Sequence, residues 1–262
     1  MKLARYLGCE SVTITGGGEP LFHKKINRLI RSIAKLGVEI GIVTNGFLLD
    51  RLKNDALARI TWMRISCSDR LKQELESVNS NIEKWLENIR ARTYNGVDYN
   101  FSYVVTDSDP DLDLIKQLVE FAGGHQFTHV RIVNDIINVE NLNGTMEKIH
   151  NYLQRSGVSE KLVNYQSRSM WNTGQKKCWI SLLKPVIGAD GYLYPCCGTQ
   201  YALKNPSRDY EFSMRMGKME LLNDLIVEQA HFDGSECVKC YYAKYNDVLE
   251  FMLTGLKHER FV

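Results

Sequence analysis

Five cysteines crowd the last third of the chain, Cys178, Cys196, Cys197, Cys237 and Cys240, and only Cys9 and Cys67 precede them. Cys237 and Cys240 form a CxxC, a spacing that lets one loop present two thiolates to the same metal centre. Cys178 is followed after twelve residues by Gly191 and, after four more, by Cys196. Asp190-Gly191 lies between apolar runs and predicts a hairpin whose strands carry Cys178 and Cys196 at their far ends. Four thiolates suit tetrahedral zinc or an iron-sulfur cluster, and spacing alone does not choose between them. Cys197 ranks second to Cys196 as a ligand because it spoils the four-residue gap from Gly191. Cys9 and Cys67 read as small apolar residues, at a helix end and in a strand.

A second unusual segment is Gly16-Gly17-Gly18-Glu19-Pro20. Consecutive glycines allow close backbone approach to a ligand, and the adjacent carboxylate can bind an amino group. The pattern is neither GxGxxG nor a Walker loop, so it does not predict a phosphate cradle. The six histidines show no metal-binding spacing. Lys176, Lys177 and Arg208 could meet an acidic substrate, although isolated charges usually mark a solvated face.

These residues need a frame. From Ser11 to about Gly157, β-branched runs alternate with helical periods, which predicts successive βα units and a parallel sheet. Five strands are counted, at Ser11–Thr15, Glu39–Thr44, Trp62–Ser68, Tyr99–Thr106 and His129–Val133. Between them, Ile26, Leu29, Ile30, Ile33 and Leu36 predict one buried helix face. Leu71 to Arg92 reads as one long helix burying Leu75, Val78, Ile82, Leu86 and Ile89. Further helices are expected around Ile115, Leu118, Val119 and Ala122, and over Thr145–Gln154, after which the βα rhythm is lost. In such a frame the carboxyl ends of the strands converge on one face, where ligands bind. They carry Thr15 to Glu19, Thr44-Asn45, Ser66, Ser68-Asp69, Thr106-Asp107 and Asn134-Asp135. Beyond Gln166 the composition changes to a smaller cysteine-rich unit, with helical segments at Leu221–Val227 and Asn246–Leu253.

The chain has 262 residues, 44% of them hydrophobic, with 33 Lys and Arg against 31 Asp and Glu for a net charge of +2. That composition excludes disorder, collagen and coiled coil, and its near-balanced charge offers no stripe for nucleic acid or membrane surfaces. No apolar run nears the roughly 18 residues that span a bilayer, and a cytoplasmic protein is expected.

The run Val12 to Leu21 resembles the glycine-rich motif after the second strand of radical S-adenosylmethionine enzymes. Val43-Thr44-Asn45-Gly46 resembles their third strand end, and Arg64-Ile65-Ser66 the fourth. Cys178-x12-Gly191-x4-Cys196 with the later Cys237-x2-Cys240 resembles the Twitch domain, the shorter relative of SPASM. The resemblance implies an α/β fold: a partial (β/α)6 TIM-like barrel over 1–165, then a small α+β Twitch-like domain over 166–262. It implies that Gly17, Gly18 and Glu19, with Pro20, hold the amino group of S-adenosylmethionine, with Asn45 and Ser66 near its methionyl or ribose portion. It also implies that Cys178, Cys196, Cys237 and Cys240 ligate an auxiliary 4Fe-4S cluster. The chemistry implied is cleavage of S-adenosylmethionine to a 5′-deoxyadenosyl radical that abstracts hydrogen from a small-molecule or peptide substrate, fed by an external electron donor. The family's CxxxCxxC, which binds the catalytic 4Fe-4S cluster, is absent. Met1 to Leu7 reads as the end of the first barrel helix, so the first strand and cluster loop are expected upstream of residue 1. The chain alone is then expected to be inactive. The alternative is a non-catalytic four-cysteine zinc-binding scaffold.

Overall fold

The β-branched runs become strands. In the computed structural model, which describes residues 2–135, 142, 144–166, 171–203, 214–228 and 231–254, six strands pair side by side in chain order. They are β1 (Ser11–Ile14), β2 (Glu39–Thr44), β3 (Trp62–Ser68), β4 (Asp98–Val105), β5 (His129–Asn134) and β6 (Val163–Gln166). All five pairings are parallel. With right-handed crossovers and no strand skipped, the connecting helices collect on one face and leave the other free of them. This is an open α/β sheet of partial-barrel type, as expected.

Strand β6 was not among the five counted from the sequence. Val163-Asn164-Tyr165-Gln166 is short, mixed in polarity and at the sheet edge, so its place comes from pairing with β5 rather than from its own pattern. Two helical expectations are also corrected. Leu29 is 38% exposed, because α2 (Ile26–Ala34), the helix that follows the short α1 (Lys2–Tyr6) and strand β1, has a buried stripe of only Ile26, Ile30 and Ile33. The long helix Leu71–Arg92 is two helices, α3 (Leu71–Ser77) and α4 (Ile82–Ala91), and Val78 between them is 57% exposed. Asn79 takes a left-handed φ of 52°, Ser80 N–H returns to the Leu75 carbonyl, and the Asn81 side chain caps α4 by accepting from Lys84 N–H.

The helix-facing side of the sheet is the core: Ile40, Ile42, Met63, Ile65, Phe101, Tyr103, Val130 and Ile132 are buried against Ile30, Leu71, Trp85, Ile89, Ile115 and Leu118. Each such aliphatic side chain stabilises the fold by about 1.5–3 kcal/mol relative to exposure. Phe101 stacks on Phe127 with ring centroids 4.6 Å apart.

Asp69 acts as a clasp between β3 and β4 rather than as a solvent-facing strand end. It accepts from the Tyr103 hydroxyl, Thr106 N–H at 2.6 Å, Thr106 Oγ1 at 3.0 Å and Asp107 N–H at 3.1 Å. Burial, and then the bond to Asp69, push the Tyr103 hydroxyl well above its ordinary pKa. Asp69→Ala is expected to cost roughly 2–4 kcal/mol, because it strands a buried hydroxyl and two backbone donors. Chemical denaturation checks this, and a loss below about 1 kcal/mol would show that water replaces the clasp.

The chain divides into Met1–Ser169 and Met170–Val262. The second unit carries a three-stranded antiparallel sheet, β7 (Val186–Ile187), β8 (Tyr192–Tyr194) and β9 (Gly217–Lys218). The expected hairpin is β7–β8, closed by Gly191 N–H on the Gly188 carbonyl with Gly191 at φ 80°. Cys196 follows β8 as expected, but Cys178 is not at the far end of the partner strand, because β7 is two residues long and the short helix Ile180–Leu183 lies between. Helices at Leu222–Val227 and Ala243–Thr254 match the two periodic segments. Among the described residues, no helix is long and apolar enough to cross a membrane. Arg208 and His258 lie outside the described residues.

Candidate functional site

The glycine-rich loop leaves the carboxyl end of β1 exposed at Gly16, Gly17 and Gly18. A Cβ at Gly17 or Gly18 would meet nothing within 4 Å, so the backbone there is open to a ligand. Glu19 is better held than the sequence suggests. Its Oε1 accepts from Leu21 N–H at 2.9 Å and Thr44 Oγ1 at 2.7 Å, and its Oε2 accepts from Asn45 N–H at 2.8 Å. Glu19 thus caps the short 3-10 turn Pro20–Phe22 and ties the β1 loop to the end of β2. A carboxylate has about four acceptor positions, and the one left on Oε2 suits one N–H of an ammonium group.

Asn45 spends its side-chain oxygen on Phe47 N–H at 3.1 Å, while its carbonyl receives the Trp85 indole N–H at 3.3 Å. Gly46 follows with φ 78°, and a Cβ there would press on Ile65 and Trp85 at 3.1 and 3.2 Å. This explains why Asn-Gly ends β2. The structure therefore brings Glu19 and Asn45 together at adjacent strand ends. Ser66 lies mid-strand in β3, on the helix-free face, paired with Ser102.

On that face the register aligns Arg64, Asn100 and His129 in one rank, and Ser66, Ser102 and Arg131 in the next. Arg64 Nε donates to Asn100 Oδ1 at 3.0 Å, and Arg131 donates to Gln166 Oε1 at 2.7 Å and Ser102 Oγ at 3.4 Å. Of these, the sequence singles out only Ser66 and, within the same motif, Arg64; Asn100, Ser102, His129, Arg131 and Gln166 are not singled out as site residues. The signal was present as polar residues at every second position of β3, β4 and β5.

In the second unit, three separate segments converge on the cysteines. Residues 172–178 run against 232–240: Cys240 N–H donates to the Asn172 carbonyl, Gly174 N–H to the Cys237 carbonyl, Gly234 N–H to the Gln175 carbonyl and Cys178 N–H to the Phe232 carbonyl. The third segment leaves β8 through Pro195-Cys196 and turns at Gly198, and beyond it the Ala202 carbonyl accepts from Val238 and Lys239 N–H. Cys178, Cys196, Cys237 and Cys240 consequently line one small cavity of about 30 Å³.

Cys197 is exposed, does not line the cavity, and places its sulfur 3.3 Å from the Tyr242 hydroxyl. Cys196 instead receives Gly198 N–H on its sulfur at 3.3 Å. Among the described residues, no three His, Cys, Asp or Glu side chains meet closely enough to share one ion. Cys67 is buried in β3, and Cys9 follows the first helix, as expected.

Burial pushes the Cys196 thiol up to about 12 and the Cys237 thiol up to about 11, and raises Cys178 and Cys240 as well. The Gly198 N–H works against that rise at Cys196. Asn246, on the helix Ala243–Thr254, is a buried polar residue missed in the sequence. It accepts from Trp179 N–H at 2.7 Å and donates to Gln175 Oε1 and the Lys177 carbonyl, both at 2.5 Å. It thereby anchors the loop that precedes Cys178.

No protein-family model matches the chain. A curated relative, the "Probable GTP 3',8-cyclase" of Saccharolobus solfataricus, is 31% identical over 97 residues, which cover 31% of this chain and 31% of that protein. Among solved structures, Streptococcus suis SuiB bound to S-adenosylmethionine aligns with a TM-score of 0.52 at 16% identity, over 85% of this chain and 55% of SuiB. SuiB bound to its precursor peptide SuiA aligns at 0.55 and 15% identity, over 86% and 57%. The matched part is about a third of the curated relative's length and just over half of SuiB's. These relatives are radical S-adenosylmethionine enzymes, and the chain has their partial-barrel fold.

Proposed function

We propose that this chain carries the S-adenosylmethionine-binding sheet and an auxiliary iron-sulfur domain of a radical S-adenosylmethionine enzyme, acting on a small-molecule or peptide substrate. The observation that carries the reading is the convergence of Cys178, Cys196, Cys237 and Cys240 on one cavity, in a chain whose GGGEP loop opens at the carboxyl edge of a parallel sheet. The four thiols line one cavity, and among the described residues no three of them meet at one point. That suits a 4Fe-4S cluster, in which each thiolate binds its own iron, better than one zinc whose ligands all sit about 2.3 Å from a single centre.

S-adenosylmethionine supplies, when bound to a reduced catalytic cluster, a radical able to abstract hydrogen. This chain's residues do the holding: the open backbone of Gly17 and Gly18 and the remaining acceptor of Glu19 Oε2 bind the amino group, and Asn45 borders it. The ligands of the catalytic cluster are not in this chain, and it is inactive without a segment that supplies them. The peptide partner of SuiB favours a peptide among the candidate substrates.

Anaerobic reconstitution followed by iron and sulfide analysis tests the cluster: about four of each per chain are expected. One zinc and no iron would replace this reading with the scaffold. Equilibrium dialysis tests the loop, and Glu19→Gln is expected to weaken S-adenosylmethionine binding at least about tenfold, since an amide N–H would then face Asn45 N–H or the ammonium. Equal binding by the variant would remove Glu19 from the site.

A further inference from the structure

We infer that the surface around Phe22, beside the Glu19 loop, is a docking site for a small acidic electron-carrier protein. The surface joins two segments that follow the carboxyl ends of neighbouring strands, residues 22–31 after β1 and 49–55 after β2. Together they hold Lys24, Lys25, Arg28, Arg31, Arg51 and Lys53 against Asp50 and Asp55, twice the net charge of the whole chain. Arg31 and Asp55 pair at 2.9 Å and cancel. The other five cations are exposed and form no ion pair among the described residues. The near-balanced charge of the chain thus conceals a local basic patch.

Contacts fix the two segments as one surface. Arg51 Nη1 donates to the Leu21 and Phe22 carbonyls, both at 3.1 Å, and its guanidinium carbon sits 5.7 Å from the centre of the Phe22 ring. The Asn27 side chain donates to the Arg51 carbonyl at 2.8 Å and accepts from Lys53 N–H at 2.7 Å. Glu19 caps the turn that ends in Phe22. The Phe22 backbone is therefore held at both ends, while its side chain is 72% exposed, with Arg51 against it and Lys24 two residues on.

The charge is placed against local stability. Lys24 and Lys25 precede α2, whose first turn carries Arg28 and has neither an acidic residue nor a side-chain cap. Cations at the positive end of a helix are repelled by it, and an acidic partner relieves that repulsion. An exposed aromatic beside an arginine has the composition of an interface anchor, and the surrounding cations steer an oppositely charged protein toward it. Two short segments with one anchor suit the small, transient contact of an electron-transfer encounter. Nucleic-acid strands are held by successive stacking platforms, and Phe22 is the sole Phe, Tyr or Trp in these segments.

The partner's role as electron donor rests on the proposed radical enzyme, whereas the acidic docking surface does not. Calorimetric titration of the full chain with a plant-type ferredoxin, and separately with a flavodoxin, reads the contact. At least one is expected to bind with a Kd on the order of 10 μM at about 20 mM salt, and at least about tenfold more weakly at about 200 mM. Lys24→Glu/Lys25→Glu is expected to weaken binding at least about tenfold, and Phe22→Ala at least about threefold. Lys161→Glu/Lys218→Glu makes the same change of net charge at exposed positions elsewhere and is expected to stay within about twofold. Binding of neither carrier, unchanged affinity in Phe22→Ala, or equal weakening by the two double variants overturns the surface. Tighter binding of a single-stranded oligonucleotide or of phosphatidylserine vesicles, lost in Lys24→Glu/Lys25→Glu, overturns it in favour of nucleic acid or membrane. Carrier binding by a chain that takes up zinc and no iron would keep the surface and reject the radical enzyme, and iron uptake without carrier binding would do the reverse.

Discussion

Cys240→Ser, reconstituted anaerobically, is expected to hold less than about a quarter of the iron of the unaltered chain, because a serine oxygen is a hard ligand replacing a soft thiolate at one corner of the cluster. Cys240 is a strong test because two constraints fix its position. Its N–H is bonded to the Asn172 carbonyl at 2.8 Å, and it opens onto the same cavity as Cys178, Cys196 and Cys237. Its loss therefore removes a ligand and leaves the backbone frame in place. The companion variants sharpen the result. Cys196→Ser is expected to lose iron in the same way, whereas Cys197→Ser keeps it, since the Cys197 sulfur faces the Tyr242 hydroxyl and solvent. Iron retained in Cys196→Ser and lost in Cys197→Ser would reverse the assignment of the adjacent pair, and iron retained in Cys240→Ser would remove the CxxC from the site. Circular dichroism of each variant separates ligand loss from unfolding.

What the sequence makes legible follows from where each signal is local. Strands β1 to β5 are legible because each is a β-branched run bounded by a turn such as Asn45-Gly46 or Asn95-Gly96. Strand β6 is not, because Val163-Asn164-Tyr165-Gln166 becomes a strand only when β5 offers it an edge. The break after α3 was written in Asn79-Ser80-Asn81, three cap-forming residues, but the apolar period on either side outweighs them when only hydrophobicity is counted. Within the sites the same division holds. Glu19 and the four cysteines stand out by type and spacing. The hydrogen bonds that engage Glu19 and Asp69 as clasps depend on Thr44, Asn45, Tyr103 and Thr106 across neighbouring strands, 25 to 38 positions away. Arg64, Asn100 and His129 likewise form one rank only through register.

The cavity depends as much on two glycines as on its sulfurs, and Gly174→Ala is expected to show it. A Cβ at Gly174 would lie 2.2 Å from the Gly234 carbonyl oxygen and 2.7 Å from the Cys237 Cβ. Neither neighbour can yield cheaply, since the facing segments are held by Cys240 N–H on Asn172 and Cys178 N–H on Phe232, on both sides of the clash. A Cβ at Gly234 would in turn meet the Gln175 carbonyl oxygen at 2.8 Å, so the close approach is mutual. The segments must part by about an ångström to reach van der Waals separation, which breaks the Gly174 N–H bond to the Cys237 carbonyl and strands buried backbone groups at roughly 1–3 kcal/mol each. Parting them moves Cys237 and Cys240 away from Cys178, so iron is expected to fall nearly as far as in Cys240→Ser although every thiol is still present. Gly124→Ala gives the contrast: its Cβ would meet nothing within 4 Å at the end of a helix, and it is expected to change stability by no more than about 1 kcal/mol and iron content not at all. Full iron and an unchanged melting temperature in Gly174→Ala would mean that the two segments are not zipped in this way, and that the cysteines reach the cavity by some other path of the chain.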